Sequence, residues 1–222
     1  MSQSEKPPKP QIIPLPNGPY YYFTKFEAKP VDGIINSKDE TLFSMSGAAL
    51  CRCGGSENKP FCDGTHGKFH FSERKETDGH LDTRENYVGE KITIHKNRGL
   101  CAHVGYCSSG LPAVFALGEG RDINPDAALV DEIIEVVNKC PSGSLSYSID
   151  GVEYRDQNRD PMITVSSDGP YCLVGEIEVV GQETHGDQVS TEHCTLCRCG
   201  SSKNKPFCDG THRDIGFKDE KN

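Results

Sequence analysis

Four side chains between residues 51 and 66 have the identity and spacing to hold metal: Cys51, Cys53, Cys62 and His66. Cys51 and Cys53 are two residues apart, so an extended backbone turns both thiols to one side. Cys62 and His66 are four apart, and become neighbours if their segment turns into a helix. Gly54 and Gly55 let the backbone pass close to a bound object, and Asp63 can accept backbone N–H bonds at the helix start. The sixteen residues return at 197–212 with two letters changed, supplying Cys197, Cys199, Cys208 and His212. Three thiolates and an imidazole can hold a single Zn²⁺ or iron, and spacing alone leaves both open.

Both copies resemble the signature of the CDGSH iron–sulfur family, the mitoNEET-type proteins, C-x-C-x2-[ST]-x3-P-x-C-D-G-[ST]-H. Cys51, Cys53, Ser56, Pro60, Cys62, Asp63, Gly64 and His66 fit, as do Cys197, Cys199, Ser202, Pro206, Cys208, Asp209, Gly210 and His212. Thr65 and Thr211 stand where the family name carries Ser, which keeps the hydroxyl. The resemblance implies a [2Fe–2S] cluster at each copy, one iron on Cys51 and Cys53 and the other on Cys62 and His66. The second copy would use Cys197 and Cys199, then Cys208 and His212. It further implies that the copies pair about an approximate two-fold within one chain, as the family's simplest members pair between chains.

A neutral imidazole in place of a thiolate leaves the oxidised centre less negative, which favours reduction and raises the potential. Near solvent it can take up a proton on reduction. A protonated imidazole ligates poorly, so the same residue offers a route to cluster loss.

Between the copies, "CAHVGYC" and "CPSG" place Cys101, Cys107 and Cys140-Pro141 in the frame of single-cluster bacterial ferredoxins. The slot for a middle cysteine holds Val104, which cannot ligate iron. The segment resembles [3Fe–4S] and divergent [4Fe–4S] ferredoxin domains. Three thiolates suit a [3Fe–4S] cluster; with His103 as fourth ligand, a [4Fe–4S] cluster fits. Otherwise His103 is a turn residue outside the ligand set.

The elements that must position these residues are sparse in apolar sequence. With 34% hydrophobic residues, 23 Gly and 14 Pro, small modules of this kind need a metal or a crosslink. The eleven cysteines are an odd number, and "MSQSEKPPKPQIIPLP" has no apolar signal core, which favours a reducing cytoplasmic setting over disulfides. No apolar run is long enough to span a membrane. A formal net charge of −9 without a basic tract argues against nucleic acid and fits a basic protein partner.

One offset superimposes Cys51 on Cys197, Leu50 on Leu196 and Phe71 on Phe217, and "NGPYYYF" resembles "DGPYCLV" upstream. Each repeat therefore reads as a strand after a Gly turn, a variable connection, a short strand and the cysteine motif. "EKITIHKN" alternates as a strand. "NPDAALVDEIIEVVNK" predicts a helix capped by Asn124 and stopped by Pro141, with Leu129, Val130, Ile133, Ile134, Val136 and Val137 on one face. "SLSYSIDGVEY" predicts a hairpin turning at Asp150-Gly151.

The fold class is thus α+β: β-rich duplicated repeats forming an intrachain pair, with a small ferredoxin-like α+β domain between them. The expected division is a flexible Pro-rich arm at 1–17, a first repeat at 18–85, the ferredoxin-like domain at 86–155 and a second repeat at 156–222. Cys194 corresponds to Ala48 and lies outside the ligand set; Cys172 reads as a core residue; His70, His80, His95, His185 and His193 read as surface residues.

No nucleophile–base pair or substrate-pocket signature occurs, so the expectation is a carrier rather than an enzyme. Electron transfer through three centres comes first. The alternatives are iron–sulfur cluster storage or delivery, and a zinc-binding interaction module. Partners would be redox proteins, among them a basic reductase or oxidoreductase, or an apo-acceptor of clusters.

Overall fold

The computed structural model describes residues 9–23, 33–42, 47–77, 84–115, 123–182 and 189–220. In the first repeat lie β1 (Gln11–Pro14), β2 (Tyr20–Phe23), β3 (Ile34–Ile35) and β4 (Ala48–Leu50). The middle unit holds β5 (Arg84–Val88), β6 (Thr93–Asn97), α1 (Tyr106–Gly110), α2 (Pro112–Phe115), α3 (Val130–Asn138), β7 (Leu145–Ile149) and β8 (Val152–Tyr154). The second repeat follows with β9 (Met162–Val165), β10 (Tyr171–Val174), β11 (Glu178–Val179), β12 (Cys194–Leu196) and α4 (Thr211–Asp214). Among the described residues no helix is long and apolar enough to cross a membrane.

The repeats exchange strands. One sheet has the order β11-β1-β2-β4 and another β12-β10-β9-β3, so each takes its outermost parallel strand from the other repeat. Gln11 pairs with Glu178 in the first sheet, and Ile34 with Ile163 in the second. The exchange closes one shared core. Ile12, Tyr20, Tyr22, Ile34 and Leu50 from the first repeat pack with Ile163, Val165, Tyr171, Leu173 and Leu196 from the second. Each such side chain, fully buried, contributes roughly 1.5–3 kcal/mol, and neither repeat could bury its strands alone.

Residues 11–14, assigned by the sequence reading to a flexible arm, are β1, with Ile12 inaccessible to solvent. Ile12 enters the shared core, and the backbone of Glu178 and Val180 donates to the Pro10 and Ile12 carbonyls.

The middle unit is a β5-β6-β7-β8 antiparallel sheet with α3 packed on β7, so the α+β class stands. The Asp150-Gly151 hairpin is present, both residues having positive φ (51° and 78°). The helix begins later than its sequence suggests. Asn124 accepts from the Asp126 N–H and caps a turn, while α3 starts at Val130 with Glu132 accepting from the Leu129 N–H. Leu129 is exposed, and Ile133, Val136 and Val137 form the buried face.

Candidate metal centres

In the first motif β4 runs into Cys51 and Cys53, whose sulfurs stand 3.9 Å apart, and Cys62 Sγ lies 3.4 Å from His66 Nδ1. In the second the corresponding separations are 3.8 Å for Cys197–Cys199 and 3.4 Å for Cys208–His212. With metal–sulfur bonds near 2.3 Å and metal–nitrogen bonds near 2.0–2.1 Å, two thiolates on one tetrahedral ion stand about 3.8 Å apart, and a thiolate and an imidazole nitrogen about 3.5 Å. Each motif therefore presents two edges, each matched to its own metal ion. Among the described residues no group of three or more His, Cys, Asp or Glu converges on one point. The donors of each motif fit an iron–sulfur centre, which takes its ligands on separate metal positions.

The Cys–His pair does not arise from a helix spanning both residues. Gly64 and Gly210, with φ of 85° and 89°, turn the chain into a single helical turn beginning at Thr65 and at Thr211. Asp63 accepts from the Thr65 and Glu57 N–H groups at 3.0 and 2.8 Å, and Asp209 from those of Thr211 and Lys203 at the same distances. The Thr65 hydroxyl and these amides hold the Asp63 carboxyl well below its ordinary range. Ser56 and Ser202 tie the loop between the two edges, each hydroxyl donating 2.7 Å to the carbonyl of Phe61 or Phe207.

The protons on the thiols are unevenly held. The hydrogen bond within each of the pairs Cys51–Cys53 and Cys197–Cys199 lowers one thiol and raises the other. Burial raises Cys62 and Cys208, so metal binding at these positions releases protons.

The two motifs face each other. Cys53 and Cys199 form an antiparallel bridge. A Cβ on Gly54 would stand 2.6 Å from the Cys199 carbonyl oxygen, and one on Gly200 would stand 2.5 Å from that of Cys53. The Tyr20 hydroxyl donates to the carbonyls of Cys197 and Pro206, while the Tyr171 hydroxyl donates to those of Cys51 and Pro60. Arg198, fully buried, reaches the Gly169 and Ser166 carbonyls and pairs with Asp219. Its counterpart Arg52 pairs with Glu73 at 3.4 Å.

Cys101, Cys107 and Cys140 line one cavity of about 200 Å³ in the middle unit. Cys101 follows a turn after β6, Cys107 lies in α1, and Cys140 follows α3. Burial, with the neighbouring thiols, raises Cys107, and burial raises Cys140. Phe115, Ile123 and Leu145 give the wall an apolar part and Lys96 and Arg213 a cationic one, and no carboxylate lines the cavity among the described residues. Three thiols on a cavity with cationic and without anionic lining fit an iron–sulfur cluster, which thiolate ligands leave negatively charged. His103 has φ 53° and its ring lies over Gly210 of the second motif, where an added Cβ would meet His103 Cδ2 at 2.5 Å.

Residues left out of the ligand sets also find places. Cys172 is buried and Cys194 lies on β12 where β4 has Ala48, as the repeat implies. His70 is exposed, and His80 and His185 lie outside the described residues. His95 and His193, read as surface residues, are buried. His95 bridges Asn86 Oδ1 and Ser148 Oγ at 2.7 and 2.6 Å. His193 lies against Ser190 and Glu192, and Arg159 holds Glu192 with two hydrogen bonds. Their burial comes from long-range packing, which local polarity does not disclose.

Comparison with known proteins finds three matching regions along the chain. Residues 17–67 and 168–213 match the family described as iron-binding zinc finger, CDGSH type. Residues 87–150 match the family described as divergent 4Fe-4S mono-cluster. The chain is 39% identical over 61 residues to the uncharacterized protein YjdI of Escherichia coli (strain K12), an alignment covering 28% of this chain and 80% of the relative. YjdI of Escherichia coli O157:H7 matches with the same identity and coverage. No solved structure matches the chain.

Proposed function

The chain belongs to the family of CDGSH-type iron-binding proteins, with a divergent 4Fe–4S mono-cluster domain between its two copies of the motif, and from that premise we propose that it is a three-centre electron carrier. Cys51, Cys53, Cys62 and His66 would hold one [2Fe–2S] centre and Cys197, Cys199, Cys208 and His212 another. Cys101, Cys107 and Cys140 would hold a centre of three or four irons, with His103 outside its ligand set. Iron–sulfur centres bound there supply one-electron oxidation and reduction.

The observation that carries this reading is the His103–Gly210 contact, which sets the three-thiol cavity directly against the second motif. A delivery protein needs no such adjacency, whereas a carrier that moves electrons internally does. The protein's own residues supply the rest. Backbone N–H groups of Gly55 and Gly64 point at Cys53 Sγ and Cys62 Sγ at 3.4 Å, and favour the thiolate form. The reciprocal tyrosine bonds and exchanged strands support an approximate two-fold pairing of the copies within the chain. The net charge of −9 favours a basic redox partner.

A second reading, delivery of clusters to an apo-acceptor protein, draws on the exposure of Asp63 and Gly64 beside His66. Repeated anaerobic reduction with dithionite and reoxidation separates the two. The electron carrier retains its iron through the cycles; a delivery protein loses it to an added apo-ferredoxin.

A further inference from the structure

The two motifs differ by two residues in sixteen, yet their surroundings differ greatly. In the second, Cys208 is 4% exposed and His212 6% exposed, and Gly210 is buried. In the first, Cys62 and His66 are only partly covered, and Asp63 and Gly64 are exposed. A Cβ on Gly64 would meet nothing within 4 Å among the described residues, while one on Gly210 would strike the His103 ring.

Two pieces of chain outside the second repeat make this difference. The loop from Cys101 to Cys107 brings His103 down on Gly210 and its carbonyl oxygen to 3.5 Å from Arg213 Nη1. The segment after the first motif crosses the second, where the Glu76 and Thr77 N–H groups donate to the Lys203 carbonyl. Asn204 and Lys205 beside it are buried, and their counterparts Asn58 and Lys59 are not.

We infer that the two motifs have different jobs: the first is the port through which molecules outside the protein reach its iron, and the second is an internal centre closed by His103. This rests on the iron–sulfur reading above and adds which centre meets a partner. A molecule that attacks a ligand edge reaches Cys62 and His66 directly, but must wait for the 101–107 loop to open before reaching Cys208 and His212.

The test uses the full iron-loaded chain, kept anaerobic and challenged with the anionic iron chelator bathophenanthroline disulfonate. Native mass spectrometry counts the iron–sulfur units that remain with time. One two-iron unit is expected to leave about tenfold faster than the other, because only the second waits on local opening. His66→Cys should abolish the fast phase, and His212→Cys should leave it intact. His103→Ala, which removes the cover without touching a proposed ligand, should bring the slow phase toward the fast one. Loss of both two-iron units at one rate overturns the inference, as does a fast phase abolished by His212→Cys or a slow phase unmoved in His103→Ala. A chain that never carries iron overturns the preceding reading instead, so the two failures are distinct.

Discussion

The hydroxyl of Tyr20 donates a 3.0 Å hydrogen bond to the carbonyl of Cys197, across 177 residues of sequence, and so the first repeat shapes the metal edge of the second. Tyr171 does the converse for Cys51 at 2.8 Å. The two rings meet edge to face with centroids 6.1 Å apart. Tyr20→Phe takes the donor from two buried carbonyls, a loss of about 1–3 kcal/mol. Its effect should fall on the opposite motif, loosening Cys197–Cys199, while Tyr171→Phe loosens Cys51–Cys53. Urea unfolding checks the stability, and cysteine alkylation followed by peptide mapping checks which motif loosens.

The buried ion pair at Arg198 should matter more than its counterpart at Arg52. Arg198 and Asp219 are both nearly inaccessible, and the guanidinium also lies over Tyr171 and Phe217. Asp219→Ala leaves that cation unpaired in the interior, at about 3–5 kcal/mol. Arg52 is buried too, but its partner Glu73 is 40% exposed and 3.4 Å away, so water can take the place of that carboxylate and Glu73→Ala should cost less than Asp219→Ala. Equal shifts in the urea midpoint for the two variants would contradict this.

At Gly54 and Gly200 the motifs approach too closely for any side chain. Either Gly→Ala change adds a left-handed strain of about 1–2 kcal/mol and also drives a methyl group into the facing carbonyl. Gly64→Ala carries the strain alone, since its surroundings are open among the described residues. Gly54→Ala and Gly200→Ala should therefore lower the thermal midpoint clearly more than Gly64→Ala. Iron content per purified chain gives an independent reading.

Acid should weaken the fold in two steps. Burial pushes His95 below its ordinary value of 6.5, and pushes His193 the same way against the opposing pull of Glu192. A folded state that binds protons less readily than the unfolded one is stabilised above the unfolded pKa and loses that advantage as pH falls through it. These contributions are thus present above about 6.5 and fade below it. For Glu192, burial acts to raise the carboxyl, but bonds from Arg159 and the Gly175 N–H bring it below its ordinary 4.5. Its contribution disappears only as pH falls below that value. Thermal midpoints of wild type and His95→Gln at about pH 7.5 and 5.5 check the first step, which the variant should flatten. Taking the difference between the proteins removes the common effect of the ligand histidines.

Much of the site can be read in the sequence because its donors are local. Cys51 and Cys53 share an edge through two-residue spacing, and Cys62 and His66 meet through one glycine turn. The route was less legible: a helix from Cys62 to His66 gave way to a left-handed Gly64 followed by a single turn. The exchanged strands β3 and β11 are two residues each, too short to carry a periodicity. β1 looked like a loose arm because prolines flank its two isoleucines, and only the partner repeat supplies its neighbours. The unequal burial of the two motifs is invisible in their near-identical letters. It comes from His103, on a loop 110 residues away from Arg213, and from the Glu76–Thr77 segment over Lys203, where folding alone makes the contacts.

The central claim is that the chain carries three iron–sulfur centres, and anaerobic EPR with iron and sulfide counts, before and after dithionite, tests it most directly. The account predicts about seven or eight irons per chain, with reduced [2Fe–2S] signals and a separate signal from the Cys101–Cys107–Cys140 centre. A colourless chain that holds zinc and no iron would contradict it.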